Sequence, residues 1–151
     1  MEKKLGFGLM RLPLNNPNDA GDIDIETLKK MVDAFIANGF TYFDTALMYC
    51  GGKSEEASKA ALTSRYPRNA YTLATKLHAD YFNLPEDCDK VFAGQLERTG
   101  VDYFDYYLIH DVGADHYKKY TAMDCFSWLS EKKKAGLVKN IGFSFHDTAE
   151  L

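Results

Sequence analysis

From Ile25 onward the apolar residues Ile25, Leu28, Val32, Phe35 and Ile36 fall at helical spacing, with Asp24 placed to cap the helix and Gly39 placed to stop it. The period then changes: Thr41 to Asp44 reads as a strand. Upstream, Gly6 to Leu12 reads as a short strand closed by Pro13 and the turn-rich NNPNDAGD. Ser54 is placed to cap a second helix, with Glu55 and Glu56 in its first turn where the helix dipole favours acids. Ala70 to Leu77 is rich in strand formers and predicts a third strand ending near Lys76. Asn83 with Glu86 resembles a capping box, and Val91, Phe92 and Leu96 give the following helix its buried stripe up to Gly100. Tyr103 to His110 reads as a fourth strand, and a helix around Met123 to Lys134 leads through Gly136 to a fifth, Lys139 to Ser144.

One local pattern recurs. NGFTYFD at Asn38, TGVDYFD at Thr99 and AGLVKNIG at Ala135 each place a glycine, then an apolar residue, then a strand, the signature of a Schellman helix stop feeding a sheet. Strict β-α alternation means parallel strands with helical crossovers, either in a doubly wound sheet or in a (β/α)8 barrel. The glycines of GFGLM open no GxGxxG turn, so the dinucleotide fingerprint is absent and the barrel is favoured. A complete barrel takes about 250 residues. The expectation is therefore an α/β chain of (β/α)8 TIM-barrel type truncated to five strands and four helices, one partial domain over 1–151 without a linker.

Composition narrows the partners. With 46% apolar and 26% charged residues the chain has a globular balance, and its net charge of -4 leaves no basic stripe for nucleic acid. Lys132, Lys133 and Lys134 read as the solvated end of a helix. No apolar run approaches the roughly 20 residues that span a bilayer, and the N-terminus lacks the apolar core of a signal peptide, so a cytoplasmic protein with no membrane partner is expected. Cys50, Cys88 and Cys125 show no CxxC spacing and read as reduced thiols filling structure. No metal is expected either, since His110, Asp111, His116 and His146 lack a ligand spacing such as HExxH.

Asp44, Lys76 and His110 each fall near the C-terminal end of a predicted strand, and Tyr49 falls in the loop after one. Barrel active sites are built at that face from the ends of different strands. Singly, Asp44 also fits a helix-capping acid, Lys76 a strand-end charge, His110 a core histidine and Tyr49 a rim aromatic. Together they form a reagent: a phenol of ordinary pKa about 10 donates its proton more readily when an ammonium faces the developing charge, and a carboxylate holds that ammonium. His110 then hydrogen-bonds the substrate oxygen, giving a site that protonates a carbonyl as it is reduced.

FDTALMY at Phe43 to Tyr49, ATK at Ala74 to Lys76 and LIHD at Leu108 to Asp111 resemble the Asp-Tyr-Lys-His tetrad of the aldo-keto reductases, over essentially the whole chain. The resemblance implies a (β/α)8 barrel that uses NADPH, or less often NADH, to reduce a small-molecule aldehyde or ketone. It implies Tyr49 as proton donor, Lys76 and Asp44 as its tuning partners and His110 as the residue that orients the carbonyl. GFGLMRLP is similar to the family's first strand and loop, implying Met10 and Arg11 near the cofactor, and IGFSFHD to its fifth-strand segment, implying Ser144 there. Phe145 stands where an Asn is usual in that segment. Pocket walls would include Met10, Leu77, His78 and Tyr81. Five strands leave two open edges, so association with itself or with a complementary half-barrel is expected. The alternative function is a non-catalytic half-barrel acting as a binding or assembly module.

Overall fold

The computed structural model describes residues 4–148. Five strands, β1 (Gly6–Gly8), β2 (Tyr42–Asp44), β3 (Thr72–Leu77), β4 (Phe104–Ile109) and β5 (Val138–Phe143), form one parallel sheet in the order β1-β2-β3-β4-β5. Sequential order with every pair parallel is the wall of a (β/α)8 barrel; a doubly wound sheet would reverse its order at a switch point. β1 is shorter than expected, and β5 begins and ends one residue early.

Helix α1 (Ile25–Ala37) starts as its sequence predicts: the Asp24 carboxylate accepts from the Thr27 amide at 3.0 Å and the Thr27 hydroxyl at 2.6 Å. Helix α2 (Ser54–Ser58) does not. Its N-cap is Lys53, and the buried Ser54 hydroxyl instead donates to the Leu9 carbonyl at 2.8 Å and contacts the Thr45 hydroxyl at 2.7 Å, tying the loops after β1 and β2 together. A π turn, Lys59–Thr63, continues α2. Helix α3 (Pro85–Thr99) is capped one residue later than the Asn83–Glu86 pairing implies, because the Asp87 carboxylate accepts the amides of Asn83 and Leu84 at 3.1 and 3.0 Å.

All three glycine stops take left-handed φ: 79° at Gly39, 67° at Gly100 and 77° at Gly136. The next amide in each case reaches back five residues, Phe40 to Phe35, Val101 to Leu96 and Leu137 to Lys132, the long bond of the Schellman motif. The fourth crossover differs from expectation. It holds two helices, α4 (Ala114–Ala122) and α5 (Cys125–Lys134), broken at Asp124 with φ 49°, so the described residues contain five α-helices rather than four.

Alternation along the strands separates two faces. Phe43 packs with Phe7 and Phe35 beneath α1, and Phe104 and Tyr107 pack with Phe92 of α3. Leu28, Val32, Phe43, Leu73, Leu77, Phe104, Tyr107 and Ile109 are fully buried in this helix-side core. Leu77, expected at the pocket wall, belongs to this core. The other face carries Asp44, Lys76, His110 and Ser144.

Candidate active site

The register of the sheet explains why residues far apart in sequence meet. Asp44 ends β2 opposite Gly8 and Ala74, Lys76 lies one residue before the end of β3 opposite Leu108, and His110 and Ser144 follow the last residues of β4 and β5. In a parallel sheet these are one end.

Lys76, only 4% exposed, donates to the Asp44 carboxylate at 2.5 Å and to the Thr45 carbonyl at 2.8 Å. A buried ammonium needs such partners to stay charged. Its Nζ lies 4.7 Å from the centre of the Tyr49 ring, in cation–π position. Tyr49 meets the His110 ring edge to face at 5.8 Å. Asp44, Lys76, Tyr49 and His110 are therefore a continuous chain of contacts.

Behind Lys76 stands a polar network with no counterpart in the sequence reading. Glu55, fully buried, accepts from Thr75 at 2.7 Å, Gln95 at 2.9 Å and Arg98 at 2.8 Å. Gln95 also donates to the Lys76 carbonyl at 2.9 Å and accepts from the Tyr107 hydroxyl at 2.5 Å. The end of β3 is thus fixed on its helix side by α2 and α3, which holds the Lys76 backbone while its side chain works on the opposite face.

Tyr49 opens a tight turn, Tyr49–Gly52, in which Cys50 takes φ 53° and Gly51 and Gly52 are also left-handed. A non-glycine residue in that region costs of order 1 kcal/mol and persists where its surroundings hold it. Here the Cys50 thiol donates to the carbonyls of Leu9 and Met10 at 3.6 and 3.3 Å, pinning the turn to the loop after β1.

Burial, followed by the nearby Lys76 ammonium, pushes the His110 imidazole down to about 3, so it is neutral at physiological pH. Its buried Nδ1 has no hydrogen-bond partner. Tyr42, a second phenol beside Asp44, is pushed up to about 12, first by burial and then by the Asp44 charge. Tyr42 stands beside the acid, while Tyr49 presents its ring to the Lys76 ammonium.

The remaining expected residues lie at the same end of the sheet. Met10 and Arg11 follow β1, with Met10 52% exposed. No Cβ at Gly8 would meet another atom within 4 Å, so open space lies over the sheet next to Asp44. The Ser144 hydroxyl accepts the Asp111 amide at 2.8 Å and keeps its own hydrogen to donate. An exposed loop, open space over the sheet and a hydroxyl at the fifth strand end fit a flat ring laid across the strand ends.

The description "Aldo/keto reductase family" matches residues 4–151. Glyoxal reductase of Bacillus subtilis is 32% identical over 149 residues, covering 96% of this chain and 48% of that protein. NAD/NADP-dependent indole-3-acetaldehyde reductase of Schizosaccharomyces pombe is 28% identical over 126 residues, covering 83% of this chain and 42% of that one. Among solved structures, an aldo-keto reductase of Bacillus halodurans in its holo form superposes with a TM-score of 0.73 at 26% identity, covering 94% of this chain and 46% of that chain. The chain spans about two fifths to one half of the length of the curated relatives it matches. No helix of the described residues is long and apolar enough to cross a membrane. The match over residues 4–151 makes the chain a member of the aldo/keto reductase family.

Proposed function

We propose that this site reduces an aldehyde or ketone to an alcohol with NADPH, or with NADH, and that Tyr49 is the proton donor. The observation that carries the reading is the contact chain from Asp44 through Lys76 to Tyr49 and His110. When bound, NADPH supplies a hydride to the carbonyl carbon. Tyr49 gives its phenolic proton to the carbonyl oxygen, so the carbon gains the hydride, the oxygen gains the proton and the alcohol leaves neutral. The Lys76 ammonium stabilises the negative charge left on the phenol, and Asp44 with the Thr45 carbonyl holds that ammonium in place. Neutral His110 orients the carbonyl oxygen by a hydrogen bond. Met10, Arg11, Asp44 and Ser144 are the cofactor contacts of this reading, at the rim and at the fifth strand end. The B. subtilis and S. pombe relatives, a glyoxal reductase and an indole-3-acetaldehyde reductase, support a carbonyl substrate of low molecular mass. The three free thiols accord with a reducing, cytoplasmic location.

A second reading is a non-catalytic half-barrel that binds or assembles with another chain. It is favoured by the apolar surface at β5, where Phe143 is 62% exposed. Fluorescence titration with NADPH, followed by aldehyde-dependent loss of NADPH absorbance, separates the two. Saturable binding with turnover is expected of the reductase; absence of NADPH binding at cellular concentrations would leave the assembly reading.

A further inference from the structure

Next to His110 the fold gathers three side chains outside the tetrad, two of which, Asp111 and His116, the sequence set aside as metal ligands for want of a recognised spacing. His78 follows β3, Asp111 follows His110 after β4, and His116 lies in the first turn of α4. A ring nitrogen of each histidine and a carboxylate oxygen of Asp111 all lie within 4.8 Å of one another, and the two rings meet edge to face at 4.9 Å. We propose that His78, Asp111 and His116 bind one divalent transition-metal ion, with Zn2+ the best match to the donor set.

Two imidazoles and a carboxylate suit Zn2+ better than the all-oxygen preference of Mg2+ and Ca2+ or the thiolate preference of Cu(I). Three protein ligands with one position left open is the arrangement of zinc sites that take water or another small ligand. Donors about 2.0–2.1 Å from a tetrahedral ion stand about 3.3 Å apart, so a cluster spanning up to 4.8 Å contracts by up to about 1.5 Å at its widest. Asp111 and His116, with side chains 35% and 25% exposed, have room for that movement. His78 is buried and supplies the fixed corner.

The outer contact of His116 is in place, and that of His78 needs a change of tautomer. His116 Nδ1 lies 3.0 Å from the Asp111 carbonyl; donating its hydrogen there, it leaves the Nε2 lone pair for the ion. His78 Nδ1 accepts the Asp80 amide at 3.2 Å and stands 3.5 Å from the Asp80 carboxylate. Ligation through Nε2 moves the His78 proton to Nδ1, where that carboxylate takes over from the amide. Asp111 is held at φ 52° by two bonds to Ser144, one from its own amide to the hydroxyl and one from the Val112 amide to the carbonyl. The ligands come from two chain segments, His78 after β3 and Asp111 with His116 after β4, at a spacing that matches no HExxH-type motif. Asp44, Tyr49 and Lys76 take no part, so the site stands or falls separately from the reductase reading.

The test is calorimetric titration of the chelator-stripped protein with Zn2+, paired with absorption spectra of the Co2+ form. One ion per chain is expected, with Co2+ d–d bands and no thiolate-to-cobalt charge-transfer band. His116→Ala and Asp111→Asn, both at partly exposed positions, should each weaken Zn2+ binding at least tenfold, whereas Cys50→Ser should leave it unchanged. Absence of binding, a thiolate band, or equal affinity in wild type and a folded His116→Ala would overturn the proposal. Should a variant fail to fold, the wild-type stoichiometry and Co2+ spectrum decide alone.

Discussion

Glu55 and Glu56 are neighbours in the first turn of α2, yet their surroundings are opposite. Glu56 pairs with Lys53 at 3.1 Å with both side chains more than half exposed, whereas Glu55 is fully buried against Thr75, Gln95 and Arg98. Removing one charge of a buried pair strands the other, at a cost of about 3 kcal/mol; exposed pairs contribute little. Chemical denaturation of Glu55→Gln is thus expected to show a loss of about 3 kcal/mol, and of Glu56→Gln less than about 0.5 kcal/mol. Equal effects would mean that Glu55 does not anchor the end of β3. The sequence could not distinguish the two acids, because a Ser-Glu-Glu run at a helix start looks the same whether it faces water or the back of a sheet. Asp44, Lys76 and His110 were legible for the opposite reason. Polar groups at the C-terminal ends of apolar strands have only the end of the sheet to occupy, and the structure brings them within contact there. His78 and Asp111 follow the same rule; the sequence placed His78 at a pocket wall and set Asp111 aside as a ligand because nothing in their spacing marks one.

Helix ends divide in the same way. The three glycine stops were readable because a left-handed position followed by an apolar residue is a local requirement, met without reference to the rest of the fold. They differ in what surrounds them. A Cβ at Gly136 would meet nothing within 4 Å, while one at Gly100 would come within 2.9 Å of Lys59 Cε, whose Nζ donates to the Glu97 carbonyl. Gly136→Ala should therefore cost about 1 kcal/mol from backbone conformation alone, and Gly100→Ala measurably more; thermal denaturation of the two variants gives the comparison. At the start of α3, the hydrogen bond from Lys90 and then those from the amides of Asn83 and Leu84 hold the Asp87 carboxyl down to about 2, against an ordinary 3.8. A lowered folded-state pKa means the unfolded chain binds the proton first. This stabilisation is complete above 3.8 and is lost as pH falls toward about 2. Stability curves of wild type and Asp87→Asn should accordingly differ at neutral pH and converge through that acid window; a constant gap would contradict the assignment. Helix α4 was not legible, since ADHYKKYTA buries only Tyr120 and carries no apolar stripe.

At the scale of the molecule, β1 and β5 pair on one side only among the described residues. Around β5 the exposed aromatic side chains of Tyr117, Phe126, Phe143 and Phe145 line a cavity of about 400 Å³ with Val112 and Gly113. Edge strands next to apolar surface recruit other chains. The chain as given should therefore self-associate in size-exclusion chromatography with light scattering, and Phe143→Ser should shift the distribution toward monomer. A concentration-independent monomer would contradict this. The sheet order was legible from β-α alternation and the missing dinucleotide turn, since parallel neighbours in sequence order satisfy both. The division of the fourth crossover was not, because the break at Asp124 depends on a left-handed residue that no glycine signals. The proposed carbonyl reduction rests on the Tyr49 phenol in the second βα loop. The most direct measurement is single-turnover oxidation of NADPH by a short aldehyde, in wild type and Tyr49→Phe, with NADPH affinity measured in both. A rate at least about a hundredfold lower in the variant, at unchanged affinity, is the predicted result; equal rates, whether both fast or both at background, would contradict the account.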